Sequence, residues 1–197
     1  AGTCHMYSNN QAVCYVPLCR DENDYAQTLR HEGCGHGFGK LADEYFYTSQ
    51  GTIPTKMIAQ LKQWKGFAYG FYENVDLTSD PNTILWSKFI SDSRYSGKVG
   101  VYEGGYTYPY GVYRPTDNSI MRYNTGGFNA PSREAIYKKI MKFSEGNAWT
   151  YDYETFVAFD APARSAEAVT RAAAQCAAVD KANFIPLAAP VMVMVDK

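Results

Sequence analysis

Two of the chain's three histidines fall in one short run, residues 30–45, RHEGCGHGFGKLADEY. Glu32, Cys34, Asp43 and Glu44 stand around them. Neutral imidazoles and a carboxylate are the donors that hold zinc, with a fourth position left for water. The usual helical spacing for this task, HExxH, sets its histidines four apart and so about 40° apart around the helix axis. Here His31 and His36 are five apart, which in a regular α-helix separates them by about 140° and prevents a shared ion. A π-bulge has a wider turn and absorbs one extra residue, and such bulges are frequent at functional sites. Gly33 and Gly35 flank Cys34 between Glu32 and His36, and glycine tolerates unusual backbone. The run therefore reads as an HExxxH variant in which both imidazoles face one metal.

The residue types then suggest roles. Glu32 follows the first histidine and is placed as general base toward a water whose pKa zinc lowers to about 7. Gly39 lets the chain turn sharply and bring a third ligand back. Asp43 is the choice for that ligand and Glu44 the runner-up; spacing does not separate them. The bland alternative is a pair of ordinary helix histidines. It leaves the glycine density unexplained, since each helical glycine costs about 1 kcal/mol relative to alanine. Cys34 reads as a buried, inert thiol, and His5 as no ligand.

Positioning such a site takes a scaffold that the sequence outlines. The runs GTCHMYS and AVCYVPL flank the turn signal NNQ and predict a hairpin over residues 2–18. DENDYAQTLRHE opens a helix, with Asp21 or Asp24 as cap and Gln27 as capping-box partner; Gly35, Gly37 and Gly39 are expected to end its regular part. IPTKMIAQLKQWKGF predicts a short helix between Pro54 and Gly66, and TILWSKFI another. Residues 67–80 read as loop with some extended structure. KVGVYEGGYTYPYGVYRP predicts two extended pieces around Gly104–Gly105, and DNSIMRYN a turn. APSREAIYKKIMKFSEG predicts an amphipathic helix with Ile136, Ile140 and Phe143 on one face and Gly146 after its end. RSAEAVTRAAAQCAAV predicts a helix, and NFIPLAAPVMVMVDK an extended segment broken by Pro186 and Pro190. There is no internal repeat.

Composition narrows the class. The chain has 197 residues, 19 basic and 20 acidic side chains, and a net charge of −1, enough for one domain with a sizeable core. No basic stripe appears, which argues against a nucleic-acid partner. The longest apolar run, near Leu187–Val195, is too short to span a bilayer. The chain opens at Ala1 without a signal peptide and reads as a mature product or a fragment. Five cysteines form no CxxC pair, so a zinc knuckle is not expected. Cys4 and Cys14 sit where they could bridge neighbouring strands in an oxidising compartment; buried free thiols are the other reading. Seventeen tyrosines suit a sugar- or peptide-facing surface and an ordinary core equally.

The block HEGCGHGFGKLADEY resembles the HExxHxFxxLADEY block of the IgA-peptidase family of secreted bacterial zinc metallopeptidases, with one residue inserted after the glutamate. VGVYEGGYTYPYGVYRPTDNSIMRY resembles that family's EGG…GVYRP…IM stretch, and SREAIYKKI the helix after it. The resemblance covers most of residues 20–145. It implies an α+β, metzincin-like zincin, with Met121 of SIMRY as the methionine turn beneath the metal and Tyr123 as a stabiliser of the oxyanion. Ser119 and the FNAPSRE stretch lack cysteines that many members carry. About 20 residues precede Asp21, room for one hairpin rather than the sheet such domains place there. The chain is thus expected to be the C-terminal part of a larger protease, possessing an active-site helix, a methionine turn and C-terminal helices.

Together these features imply a zinc metalloendopeptidase that hydrolyses peptide bonds. His31, His36 and Asp43 are the expected zinc ligands, with Glu32 as base and then acid to the leaving amine. Residues 1–197 read as the catalytic domain with its upstream sheet missing, 20–145 as the core of the active site and 146–197 as a C-terminal extension. The expected partners are a protein or peptide substrate and an N-terminal domain of the same precursor, and the expected setting is secreted, periplasmic or cell-surface in a bacterium. Arg114 and Glu103 are expected to pair as ions or to line the cleft. One competing reading is a binding module for protein or glycan on a zincin shell that has lost hydrolysis; the intact Glu32 argues against it. Another is a gluzincin, similar to the HExxGH dipeptidyl peptidases, with Glu134 or Glu145 as the distant ligand.

Overall fold

The predicted hairpin forms the first element. Strand β1 (Thr3–Tyr7) pairs antiparallel with β2 (Ala12–Tyr15). Cys4 and Met6 point inward and are fully buried, whereas Thr3, His5 and Tyr7 are only partly so, the period-two alternation of a half-covered strand. Strand β5 (Val191–Val193) adds in parallel to the other edge of β1, giving the order β2-β1-β5. The computed structural model describes residues 2–18, 22–66, 70–174 and 189–195. Residues 183–188 of the expected extended segment and Asp21 fall outside that set.

Helix α1 (Glu22–Leu29) begins two residues before Asp24. Asp24 is therefore inside the helix and cannot cap it, and the Gln27 side-chain oxygen finds no hydrogen-bond partner among the described residues. Regular α-helix also stops at Leu29, well short of the glycines, and Arg30–Phe38 continues as π-helix. Helix α2 (Thr55–Lys65) runs between Pro54 and Gly66 as expected and buries Leu61 and Trp64. Helix α3 is shorter than its sequence suggested, Ser87–Ser91, and leads into a 3-10 turn, Ser93–Tyr95, where the Asp92 carboxylate accepts from the Arg94 amide.

Strands β3 (Tyr102–Gly105) and β4 (Tyr108–Arg114) form an antiparallel pair. The chain reverses at Tyr106–Thr107, both at positive φ (50° and 69°), and not at Gly104–Gly105. Gly104 instead takes φ 97° at a register shift, where a Cβ would lie 2.4 Å from Phe46. The expected turn at DNSIMRYN is a short helix, α4 (Ile120–Tyr123), ended by Asn124 in the left-handed region.

Helix α5 (Ala130–Glu145) starts at an Asn129 cap and ends at Gly146. Its expected apolar face is only partly right. Ile140 and Phe143 are exposed, and the helix buries Ala135, Tyr137, Glu134 and Lys139 instead. The reason lies in helix α6 (Tyr153–Ala174), whose Phe156 and Val157 pack in one cluster with Tyr137, Trp86, Phe89 and Tyr95. This helix begins well before the alanine-rich stretch that predicted it; residues 175–179 of that stretch fall outside the described set.

The described residues make a mixed α+β molecule and, among them, three apolar clusters. One joins the hairpin to α2 and β4 through Met6, Trp64 and Val112. The second is the aromatic cluster under α6. The third is small, built on Leu41, Ile120, Met121 and Ala135, and lies where α4 and α5 meet the π-helical segment. Among the described residues no helix is long and apolar enough to cross a membrane.

Asn129 shows how tightly this meeting point is bound. Its side-chain oxygen caps α5 at the Ser132 amide, 3.1 Å away. Its side-chain nitrogen donates to both oxygens of the buried Glu44, at 2.8 and 3.0 Å. Aspartate caps a helix as well as asparagine does, but it would set a second carboxylate against Glu44. Asn129→Asp is therefore expected to lower stability by about 2 kcal/mol or more, read as a lower urea midpoint. An unchanged midpoint would mean that the cap alone matters.

Candidate metal centre

The π-helical segment decides the geometry. The Gly39 amide donates to the Cys34 carbonyl, five residues back, at 2.8 Å, the wide turn that one extra residue needs. His31 Nε2 and His36 Nε2 lie 3.1 Å apart, with the rings at 75° and their centroids 4.8 Å apart. Asp43 Oδ1 closes the triangle at 3.0 Å from His31 Nε2 and 3.2 Å from His36 Nε2. All three residues are at most 1% exposed, and they form a group whose ligand atoms could share one ion.

The outer ring nitrogens show what the inner ones carry. His31 Nδ1 is 2.8 Å from the Ile120 carbonyl and His36 Nδ1 is 2.7 Å from the Leu41 carbonyl. A carbonyl only accepts, so each Nδ1 bears the hydrogen and each neutral ring turns a lone pair inward at Nε2. Two lone pairs and a carboxylate oxygen then face one another in a buried space, which a cation satisfies. Two nitrogens and one carboxylate oxygen match the donor set of zinc. Without a metal, a proton has to serve. Burial works against a charged His36, but the Asp43 carboxylate outweighs it and pushes that imidazole up to about 9. Burial likewise opposes ionised Asp43, and the two histidines hold its carboxyl below the usual range.

Close packing explains the glycines. A Cβ on Gly35 would lie 2.4 Å from the sulfur of Met121, and one on Gly37 2.7 Å from the sulfur of Cys14. A Cβ on Gly39 would lie 2.9 Å from the Gly35 carbonyl. Gly39 itself is in the right-handed helical region, so it is not the pivot its position suggested. The chain turns at Lys40, φ 55°, a buried residue whose ammonium is anchored on the Gln11 carbonyl at 2.9 Å. Asp43 is then fixed through its neighbours' backbone. Asn74 holds both the amide and the carbonyl of Ala42, at 2.8 Å each. The Glu44 amide donates to the Met121 carbonyl, and the Tyr106 amide donates to the Asp43 carbonyl.

Glu32 is fully buried, and neither of its carboxylate oxygens has a hydrogen-bond partner among the described residues. Its side chain lies over Gly2, where a Cβ would come within 2.7 Å. Burial pushes its carboxyl up to about 7, with His36 and His31 pulling the other way.

The other candidates are separated by position. Glu44 is not in the cluster. Asn74, Ser119 and Asn129 hold its carboxylate, and burial pushes it up against those donors. Glu134 pairs with Lys88 and Lys138 and accepts from the Tyr151 hydroxyl, and Glu145 lies exposed at the end of α5. Neither faces the histidines, which removes the geometric basis for a gluzincin site. Cys34 is exposed, contrary to the expectation of a buried thiol. Arg114 meets Glu103 through the backbone carbonyls of residues 103 and 104, while the Glu103 carboxylate accepts from the Gly111 amide. Met121 is fully buried against Gly35. Tyr123 is half-buried on α4 with the Arg122 guanidinium 4.5 Å over its ring. His5 stacks edge-on with Tyr15.

Sequence reasoning missed the carbonyls of Leu41 and Ile120, which any residue could supply. It also missed Asn74 and the buried Gly2. Tyr45 was missed as well: it is 3% exposed, and burial and then the neighbouring Asp43 push its hydroxyl well above the usual phenol range. Only its place in the DEY triplet hinted at it.

No curated protein is similar enough to this chain to count as a match. Residues 81–140 match the family model described as IgA Peptidase M64. That stretch contains β3, β4, α4 with Met121, the Asn129 cap and part of α5, the elements on which the His31–His36–Asp43 cluster rests. Over that stretch, about a third of its length, the chain is similar to the IgA peptidase M64 family.

Proposed function

We propose that the chain is a zinc-dependent endopeptidase of metzincin-like architecture, acting on protein or peptide substrates outside the bacterial cytoplasm. One observation carries the reading: two imidazoles with fixed tautomers and one carboxylate converge at 3.0–3.2 Å in a buried space beside an unpaired glutamate. The match of residues 81–140 to a peptidase family model supports it.

His31, His36 and Asp43 would hold the ion. Zinc there would supply Lewis acidity, lowering the pKa of a water to about 7 and polarising the substrate carbonyl. Glu32 takes the proton of the attacking water on a carboxylate oxygen and gives it to the nitrogen of the leaving chain. Its burial raises its proton affinity toward neutrality, which suits a group that must both accept and donate. Met121 fills the space that Gly35 leaves and keeps the Ile120 carbonyl on His31. Tyr123, two residues further on, is the candidate donor to the developing oxyanion.

Two measurements test this. The purified chain is expected to bind about one zinc ion, with Asp43→Ala weakening it by more than about 100-fold and Glu44→Gln by no more than about tenfold. Chelator competition reads both, and the reverse ranking would hand the ligand role to Glu44. Separately, Glu32→Gln is expected to keep its zinc while kcat on a peptide library falls by roughly 100-fold or more. Zinc bound by the unmodified chain with no cleavage of any peptide would leave the binding module as the reading.

A further inference from the structure

We propose that Cys4 and Cys14 form an intrachain disulfide that staples β1 to β2 beside the π-helical segment. The two residues are register partners across the strand pair, and their sulfurs lie 3.1 Å apart. The Tyr7 amide donates to the Gln11 carbonyl, which marks that pair as hydrogen-bonded. Pair types alternate along an antiparallel ladder, so Cys4 and Cys14, three steps further, form a non-hydrogen-bonded pair. Such pairs have Cα atoms about 4.5 Å apart, within the span of about 4.4–6.8 Å that a disulfide bridges.

Access is divided between the two thiols. Cys4 is fully buried, and Cys14 is partly exposed. The oxidant is a small disulfide such as glutathione disulfide. The Cys14 thiolate attacks one of its sulfurs, forms a mixed disulfide and expels one glutathione thiolate. The Cys4 sulfur then attacks Cys14 Sγ, the Cys4–Cys14 bond forms, and the second glutathione thiolate leaves. Two thiols are oxidised, one small disulfide is reduced to two thiols, and the two protons released end on those thiols.

The bond would bear on the active-site segment. As a thiol, Cys14 donates to the Glu32 carbonyl at 3.2 Å, and its sulfur occupies the space beside Gly37. The disulfide gives up that donation and fixes the sulfur in place. The competing account is that the pair are two packed thiols. Cys34, exposed on the π-helical segment, and Cys19 and Cys176, outside the described residues, are the other partners to be tested.

The whole chain, treated with glutathione disulfide and then alkylated, can be cut with chymotrypsin, which cleaves after Tyr7 and after Tyr15. The peptides carrying Cys4 and Cys14 are expected to be joined and to separate on reduction. Reduction is also expected to lower the melting temperature by roughly 5 °C or more, an effect absent from Cys14→Ser and from Cys4→Ser. Alkylation of both thiols after oxidation would overturn the proposal. So would glutathione left on Cys14, or a link from Cys14 to Cys19 or Cys34. None of these readouts depends on zinc or on peptide cleavage.

Discussion

Three acceptor atoms, His31 Nε2, His36 Nε2 and Asp43 Oδ1, must be held within 3.2 Å of one another away from water. Left alone they repel, and burial makes the repulsion stronger. Much of the surrounding structure counters it. The five-residue spacing calls for π-helix, whose i→i+5 bonds make a wider turn than α-helix. The glycines let the sulfurs of Met121 and Cys14 and the carbonyl of Gly35 come close enough to fill the space around that wider coil. The hairpin on one side and α4 on another supply those sulfurs.

A second buried carboxylate organises what lies beneath. Glu44 is sealed from solvent, and an unpaired charge in that position would cost several kcal/mol. Its three donors come from separate segments: Asn74 from the loop after α2, Ser119 from the entry to α4 and Asn129 from the cap of α5. It follows Asp43 directly, so whatever holds Glu44 also holds the backbone of the third candidate ligand. The family match, residues 81–140, contains two of these three donors and Met121. The matched stretch is therefore the floor of the cluster, and the histidines stand on it.

What was legible in the sequence divides along physical lines. The π-helix followed from a spacing that α-geometry forbids, and the hairpin and α2 from alternation and from Pro54 and Gly66. Asp43 and Glu44 could not be separated by spacing, because adjacent residues share a chain path and differ only in which way they face. The face of α5 was misread because Ile140 and Phe143 fit the helical period, while the neighbour that selects the buried face, α6, is distant in sequence. Gly39 drew attention as the pivot because glycine favours positive φ, but Lys40 takes that conformation, tethered by the Gln11 carbonyl far back in the chain. Local signals carried local structure; long-range tethers left no trace in composition.

The acceptors for the two outer ring nitrogens have a consequence of their own. Both are main-chain carbonyls, of Leu41 and Ile120, where many metal-binding histidines use a carboxylate side chain. No point mutation deletes a carbonyl. The orientation and proton location of both imidazoles are thus insulated from substitution at residues 41 and 120, provided that the replacement keeps the same apolar contacts. Divergent relatives could exchange those side chains freely and keep both rings aimed. The insulation has a counterpart: the ring orientation depends on backbone position alone, so a distant change that shifts α4 by a fraction of an ångström would disturb the centre more than a change of side chain beside it.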